Sequence, residues 1–174
     1  MVEVNVHDDS ESLTCTRFLM DPGFAEYAES LHRLFEALIQ MPPVSAAALP
    51  RILPKECVYL FSENEIPLYV GRTRKLRQRL RNHCGDSSGQ NQAVFAFKLA
   101  REETGNIKAG YSKENSRKAL IEVVSFAGAF ANAKKRIRNM QLRFVEVKDP
   151  LSQALLEIYA SFVLKTRYND FETH

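Results

Sequence analysis

Several things are scarce or missing in this sequence, and each shortage excludes a class of protein. Cysteines number three, at Cys15, Cys57 and Cys84. The number is odd, and the spacings match neither a zinc site nor a disulfide framework. A reducing cytoplasm is the compartment this implies. No run approaches the ~18 apolar residues of a membrane helix, so no membrane partner is expected. The opening residues, MVEVNVHDDSESL, are acidic and lack an apolar core, so they do not read as a secretory signal. Internal repeats and low-complexity tracts are also missing, which sets aside solenoids and compositionally biased linkers. The most local shortage concerns one sign of charge: no acid occurs between Ile66 and Gly85.

What is present is ordinary in amount and uneven in placement. A chain of 174 residues that is 45% hydrophobic and 26% charged fits one soluble domain with a sizeable core. A net charge of +3 says little about partners by itself. Clustering says more, because a local basic patch sets the field that a phosphate backbone meets. Six of the ten residues from Arg72 to Arg81 are basic.

In chain order, residues 1–20 carry no assignable pattern. From Phe24 to Gln40, Tyr27, Leu31, Leu34, Phe35 and Leu38 recur at helical spacing. Asp21-Pro22 is a start signal and Pro42-Pro43 a stop signal. Residues 41–55, with four prolines, read as a connector. The organisation expected is an N-terminal helical extension with its connector over 1–50, then the main domain over 51–174. The extension reads first as a packing arm, with a DNA-contacting or dimerising arm as the alternative. Residues 93–100 fit either a strand or a short buried helix, and 101–112 read as a loop. Residues 113–138 read as a helix, with Leu120, Val123, Val124, Ala127 and Phe130 on one side and a break near Gly128. Its end carries Lys134, Lys135, Arg136 and Arg138, a basic patch that a helix C-terminus favours in any case. LRFVEV, 142–147, reads as a strand. Asp149-Pro150 starts a last helix whose expected apolar stripe is Leu151, Leu155, Ile158 and Phe162.

The stretch around which the rest is organised runs from Val58 to His83. Two apolar runs, VYLF and PLYV, flank the polar break SENEI and predict a hairpin. Gly71 is expected to end its second strand and Thr73 to cap the following helix. An odd loop centred on Asn64 would set Tyr59 opposite Tyr69, about 5 Å apart at Cβ. On the helix, Leu76 and Leu80 share the buried face, while Arg79 and His83, also four apart, share another. Two phenols beside an arginine-rich helix form a plausible phosphate site.

These residues resemble the GIY-YIG nuclease superfamily. Cys57-Val58-Tyr59 stands where that family has Gly-Ile-Tyr, and Tyr69-Val70-Gly71 where it has Tyr-Ile-Gly. Arg79 and His83 follow Gly71 by eight and twelve residues, as on the family's helix, and Glu157 and Asn169 fit its later Glu and Asn. The resemblance covers about residues 56–170. It departs at Cys57, which replaces the first glycine. The fold class expected is α/β. It has a small three-stranded, mainly antiparallel sheet near 57–62, 67–71 and 141–147, flanked by helices, with the N-terminal helical extension added.

The resemblance implies a divalent-metal-dependent endonuclease that hydrolyses phosphodiester bonds in DNA. By that likeness Glu157 would hold Mg²⁺ or Mn²⁺, with waters completing the shell. Arg79 would fork onto the scissile phosphate. Tyr59 would act as the general base or orient the attacking water, its phenol favoured as phenolate by Arg72 and Arg79. Tyr69 would bond the water or the phosphate. His83 would relay a proton or hold a tyrosine hydroxyl, and Asn169 would fix local backbone or a catalytic hydroxyl. Arg72, Arg74, Lys75, Arg77 and Arg81 read as nucleic-acid-binding. Plainer readings stand beside each: cross-strand packing for the tyrosines, solvated surface for Arg79 and Glu157, a C-terminal cation for His83, a turn for Asn169. The partner expected is nucleic acid, DNA before RNA, with the chain a monomer or homodimer. The alternative function is a non-catalytic nucleic-acid-binding module of the same fold.

Overall fold

The structure is a computed structural model in which residues 21–106 and 116–169 are described. Cys15, residues 1–20, the loop over 107–112 and the first residues of the helix begun at 113 lie outside them.

The hairpin forms from β2 (Cys57–Glu63) and β3 (Ile66–Thr73), paired antiparallel. Its turn is Asn64-Glu65, both at positive φ, 51° and 63°. That conformation matches the strand twist, and asparagine tolerates it well. The loop therefore has two residues, and the register differs from the expected one. Tyr59 faces Gly71, and Phe61 faces Tyr69. A bulge between Phe61 and Ser62 shifts the pairing. Without it, Tyr59 would pair with Val70, and Tyr69 would project from the opposite face. The bulge restores the parity, so both phenols share one face. β3 also runs past Gly71 to Thr73.

β4 (Gln141–Glu146) lies on the other side of β2, and β1 (Val44–Ser45) pairs with β4. The order is β1-β4-β2-β3, antiparallel throughout, so the described sheet has four strands and not three. The fourth arises in the proline-rich connector, where two residues carry no readable period.

β2 is covered on both faces, so Cys57 through Ser62 are all buried. On one face Tyr59, Phe61 and Tyr69 pack with α2 (Leu76–Cys84), α3 (Val94–Glu103) and α5 (Val124–Arg138). The ambiguous 93–100 segment is thus a helix, buried at Phe95, Ala96, Phe97, Leu99 and Ala100. On the other face Val58, Leu60 and Val70 meet α1 (Pro22–Gln40) and α6 (Pro150–Leu164). Asp21 caps α1 by accepting from Phe24 N–H, and Leu31, Phe35 and Leu38 seat it. α1 therefore packs on the sheet through this face. The Tyr27 hydroxyl donates to Asp149 Oδ2 (3.0 Å), tying α1 to the start of α6.

Two helical expectations are overturned. The break in 113–138 falls at Val123, not Gly128. Val123 is extended and ends α4 (Arg117–Glu122), which Ser116 caps, before α5 begins. The interruption resets the helical phase, so Val123 and Val124 are exposed while Phe126, Ala129, Phe130 and Ile137 are buried. α6 is turned the other way from its expected stripe. Leu151, Ile158 and Phe162 are 59%, 50% and 80% exposed. Leu156, Ala160 and Ser161 are buried against the sheet instead, Leu156 filling the interface and the small Ala160 and Ser161 allowing close approach. Buried Gln153 donates to Val147 O (2.6 Å).

Leu156→Ala is expected to cost about 2–5 kcal/mol through the cavity it leaves. Phe162→Ala should stay within about 0.5 kcal/mol. Urea unfolding of both variants checks the orientation of α6, and the reverse order would contradict it.

Candidate active site

The site begins with a missing side chain. Tyr59 on β2 lies directly across from Gly71 on β3. A Cβ at Gly71 would sit 2.5 Å from Tyr59 Cζ. Only glycine leaves the phenol room to lie over the neighbouring strand. Tyr69, two residues before it, stacks on Phe95 with ring centres 4.8 Å apart and planes 12° apart. The two phenol rings are 6.4 Å apart.

α2 supplies the partners of the Tyr59 hydroxyl. Leu76 and Leu80 bury its inner face, as the spacing predicts. Arg79 Nε donates to Tyr59 Oη (3.1 Å), and His83 Nε2 lies 2.8 Å from the same oxygen. The proton of that second bond belongs to the hydroxyl or the ring, according to the tautomer. His83 is fully buried, and its Nδ1 has no hydrogen-bond partner in the structure. Burial, reinforced by Arg79, holds its pKa well below the ordinary value, so the ring is neutral at physiological pH. Thr73 does not cap α2. Its hydroxyl accepts from Lys75 N–H (3.1 Å) in a local turn, and no side chain caps the helix.

The expected phenolate is not favoured by this surrounding alone. Burial pushes the Tyr59 pKa far up, and the Arg79 charge and hydrogen bond only partly oppose it. Tyr69 is raised for the same leading reason. Arg72 is engaged elsewhere, donating to Glu157 Oε2 (2.9 Å). Glu157 comes from α6 on the opposite face of the sheet, and the two sides meet at the β3 edge. Its carboxylate is close enough to act on both phenols and on Arg79. Burial raises the Glu157 pKa, against the pull of Arg72 and then Arg79.

Asn169 fixes the strand that carries the second motif. Its Oδ1 accepts from Val70 N–H (2.8 Å), and its Nδ2 donates to Val70 C=O (2.8 Å). The Thr166 hydroxyl also donates to Oδ1 (2.9 Å). Val70 lies between Tyr69 and Gly71, so this clamp holds both. Cys57, at the departure from the first glycine, is a buried thiol whose pKa burial and then Glu146 push up to about 12.

The structure thus brings Tyr59, Tyr69, Arg79, His83 and Glu157 together, with Asn169 behind them. The expected nucleic-acid cations divide. Arg72 holds Glu157, Arg77 donates to Pro50 and Arg51 carbonyls, and Arg81 donates to Gln78. Arg74 and Lys75 project freely beside Arg51 and Lys55, two cations that the connector reading overlooked. Their signal was a pair of charges in a stretch with no acid between Arg51 and Lys55. Three of the four cations in the later basic patch are engaged internally, Lys134 by the Asp86 and Ser88 carbonyls, Arg136 by Glu63 and Arg138 by Asp86, while Lys135 is exposed. Among the described residues no three His, Cys, Asp or Glu side chains converge. No helix there is long and apolar enough to cross a membrane.

A sheet edge joining two tyrosines, an arginine–histidine helix and a helix glutamate defines a nuclease-type α/β domain. The GIY-YIG catalytic domain model matches residues 55–169, most of the chain, and the protein belongs to that family. Members typically act as endonucleases on nucleic acid and generally use divalent metals. The chain matches no curated protein and no solved structure.

Gly71→Ala should destabilise the protein by about 1–3 kcal/mol through overpacking against Tyr59. In a Tyr59→Ala background the same change should cost far less. A double-mutant cycle of urea unfolding measures the coupling, and equal costs in both backgrounds would refute the contact.

His83 gives a pH prediction. The unfolded chain takes up a proton near pH 6.5, whereas the folded ring does so only well below it. Stability is therefore intact above pH 6.5 and falls as pH drops, by at most about 1.4 kcal/mol per unit. Comparing wild type with His83→Gln between pH 8 and 5 (other histidines being common to both) isolates this slope. Parallel profiles would mean that the folded ring ionises normally.

Proposed function

We propose that the protein is a divalent-metal-dependent endonuclease that hydrolyses phosphodiester bonds in DNA. The observation that carries this reading is the Tyr59 oxygen, held by Arg79 and His83 within charge reach of Glu157. A purely packed tyrosine needs no guanidinium at its hydroxyl.

Glu157 is the residue that would hold the metal. It presents one half-buried carboxylate, a hard oxygen donor suited to Mg²⁺ or Mn²⁺ with waters completing the shell. When bound, the ion supplies positive charge to the oxygens that become anionic. The remaining work falls to this chain's own residues. Arg79 neutralises charge that develops on the phosphate, through guanidinium donors beyond the Nε that holds Tyr59. Tyr59 orients the attacking water, with its hydroxyl turned by Arg79 and His83. Neutral His83 accepts a hydrogen bond at Nε2 without adding a second cation beside Arg79. Tyr69 bounds the pocket and bonds the water or the phosphate. Asn169 is a positioning residue, acting through Val70. Arg74 and Lys75 contact the phosphate backbone, with Arg81 further along the same helix.

The test pairs a gel-shift with a plasmid-nicking assay in Mg²⁺, Mn²⁺ and EDTA. Glu157→Ala should abolish nicking while binding survives or tightens, since a negative charge near the phosphates is gone. Arg79→Ala should lower cleavage by about 10²–10³-fold, as for loss of one transition-state donor, and weaken binding. Full activity in EDTA or in Glu157→Ala removes the metal assignment. Binding without cleavage of any DNA by wild type favours the non-catalytic module.

A further inference from the structure

The connector between β1 and β2 is an arch pinned at both ends to the start of α2. Arg77 Nη2 donates to Pro50 O (3.1 Å) and Arg51 O (2.9 Å), and Leu76 N–H donates to Lys55 O (3.2 Å). Ile52 stands out from this arch with 88% of its surface exposed. The arch is also a ridge, because Ile52, Leu53 and Pro54 line two separate grooves. The groove toward α2, about 700 Å³, is lined by Arg51, Lys55, Arg74, Lys75, Arg77 and Arg81 and by no carboxylate. The groove toward β4, about 870 Å³, holds Lys55, Arg74 and Lys148 with Glu56 and Glu146. Among the described residues the side chains of Arg51, Lys55, Arg74 and Lys75 make no hydrogen bond or ion pair. The fold uses none of these four charges.

An isolated exposed isoleucine is unremarkable by itself. One set on a pinned arch between two grooves, beside four unengaged cations, is a different object. Polyanions follow such cations through counterion release. Apolar side chains of this size enter between base steps and unstack them, which is cheapest where stacking is already broken. Another side of α2 carries Arg79 and His83 to Tyr59, so the same helix joins the ridge to the candidate active site.

We propose that the Ile52 ridge is a wedge that enters DNA at an interruption in base stacking, a nick, gap or branch, while the Arg51–Arg81 groove holds the phosphates of one arm. This rests on the nucleic-acid reading above and narrows its substrate to discontinuous over intact duplex.

The test uses wild-type protein in EDTA and two duplexes of identical sequence, one intact and one nicked, with 2-aminopurine beside the nick. Wild type should bind the nicked duplex several-fold tighter and brighten the 2-aminopurine as it unstacks. Ile52→Ala, at an exposed position where folding is undisturbed, should bind the intact duplex as wild type does and lose both the preference and the brightening. Arg74→Ala with Lys75→Ala should weaken both duplexes alike and flatten the salt slope by about 0.9 for each phosphate that is no longer neutralised. The wedge is overturned if wild type binds the two duplexes equally, or if Ile52→Ala keeps the preference and the brightening. Binding of neither duplex by wild type removes the nucleic-acid reading itself, and the wedge with it.

Discussion

The contact on which the rest of this site depends is a phenol ring lying where a side chain is missing. Tyr59 crosses over Gly71 because nothing projects from that residue. The ring thereby reaches the β3 edge and meets α2 at the point where Arg79 and His83 come down. Each further element holds this arrangement in place. Asn169 fixes Val70 next to the glycine, Leu76 and Leu80 seat the helix, and Phe95 supports Tyr69 from behind. Glu157 arrives from the far face only because β3 is the last strand, which leaves an edge for the two faces to meet around.

The hairpin and its helix were largely legible in the sequence, because alternation and i, i+4 spacing are local signals. The register was not. A polar pentapeptide does not reveal whether the chain turns in two residues and bulges or loops in an odd number. Both routes place Tyr59 and Tyr69 on one face, so the expected proximity held although the expected pairing did not. α6 shows a different limit. Three of its expected stripe residues are exposed, while Leu156 and Ala160 pack on Val58, Leu60 and Val70. With apolar residues all round the helix, a pattern that counts apolar positions does not decide which face is buried. β1 is too short for any period, and the break at Val123 carries no glycine or proline to mark it.

Charge was legible as amount and opaque as availability. The cations in 134–138 read as a basic patch at a helix end, and those in 72–81 as a phosphate surface. Carbonyls and carboxylates of the fold occupy Lys134, Arg136 and Arg138, while Arg74 and Lys75 remain uncommitted. The phenols make the same point about pKa. A neighbouring guanidinium was expected to favour phenolate, yet desolvation is the larger influence on both Tyr59 and Tyr69. Sequence reports which charges are neighbours but not how much water they share.

The bonds from the 166–169 segment to β3 have a consequence outside the site. An outer strand with free amides and carbonyls is a template onto which other chains add and aggregate. Here the Leu68 carbonyl accepts from Tyr168 N–H, and the Asn169 carboxamide takes both backbone groups of Val70. A side-chain amide thus imitates a strand along the side of the hairpin that would otherwise recruit a neighbour. The opposite border of the sheet is only two residues long, Val44–Ser45. The same asparagine that steadies the motif therefore also covers backbone groups of the outer strand that would otherwise be open to a neighbour.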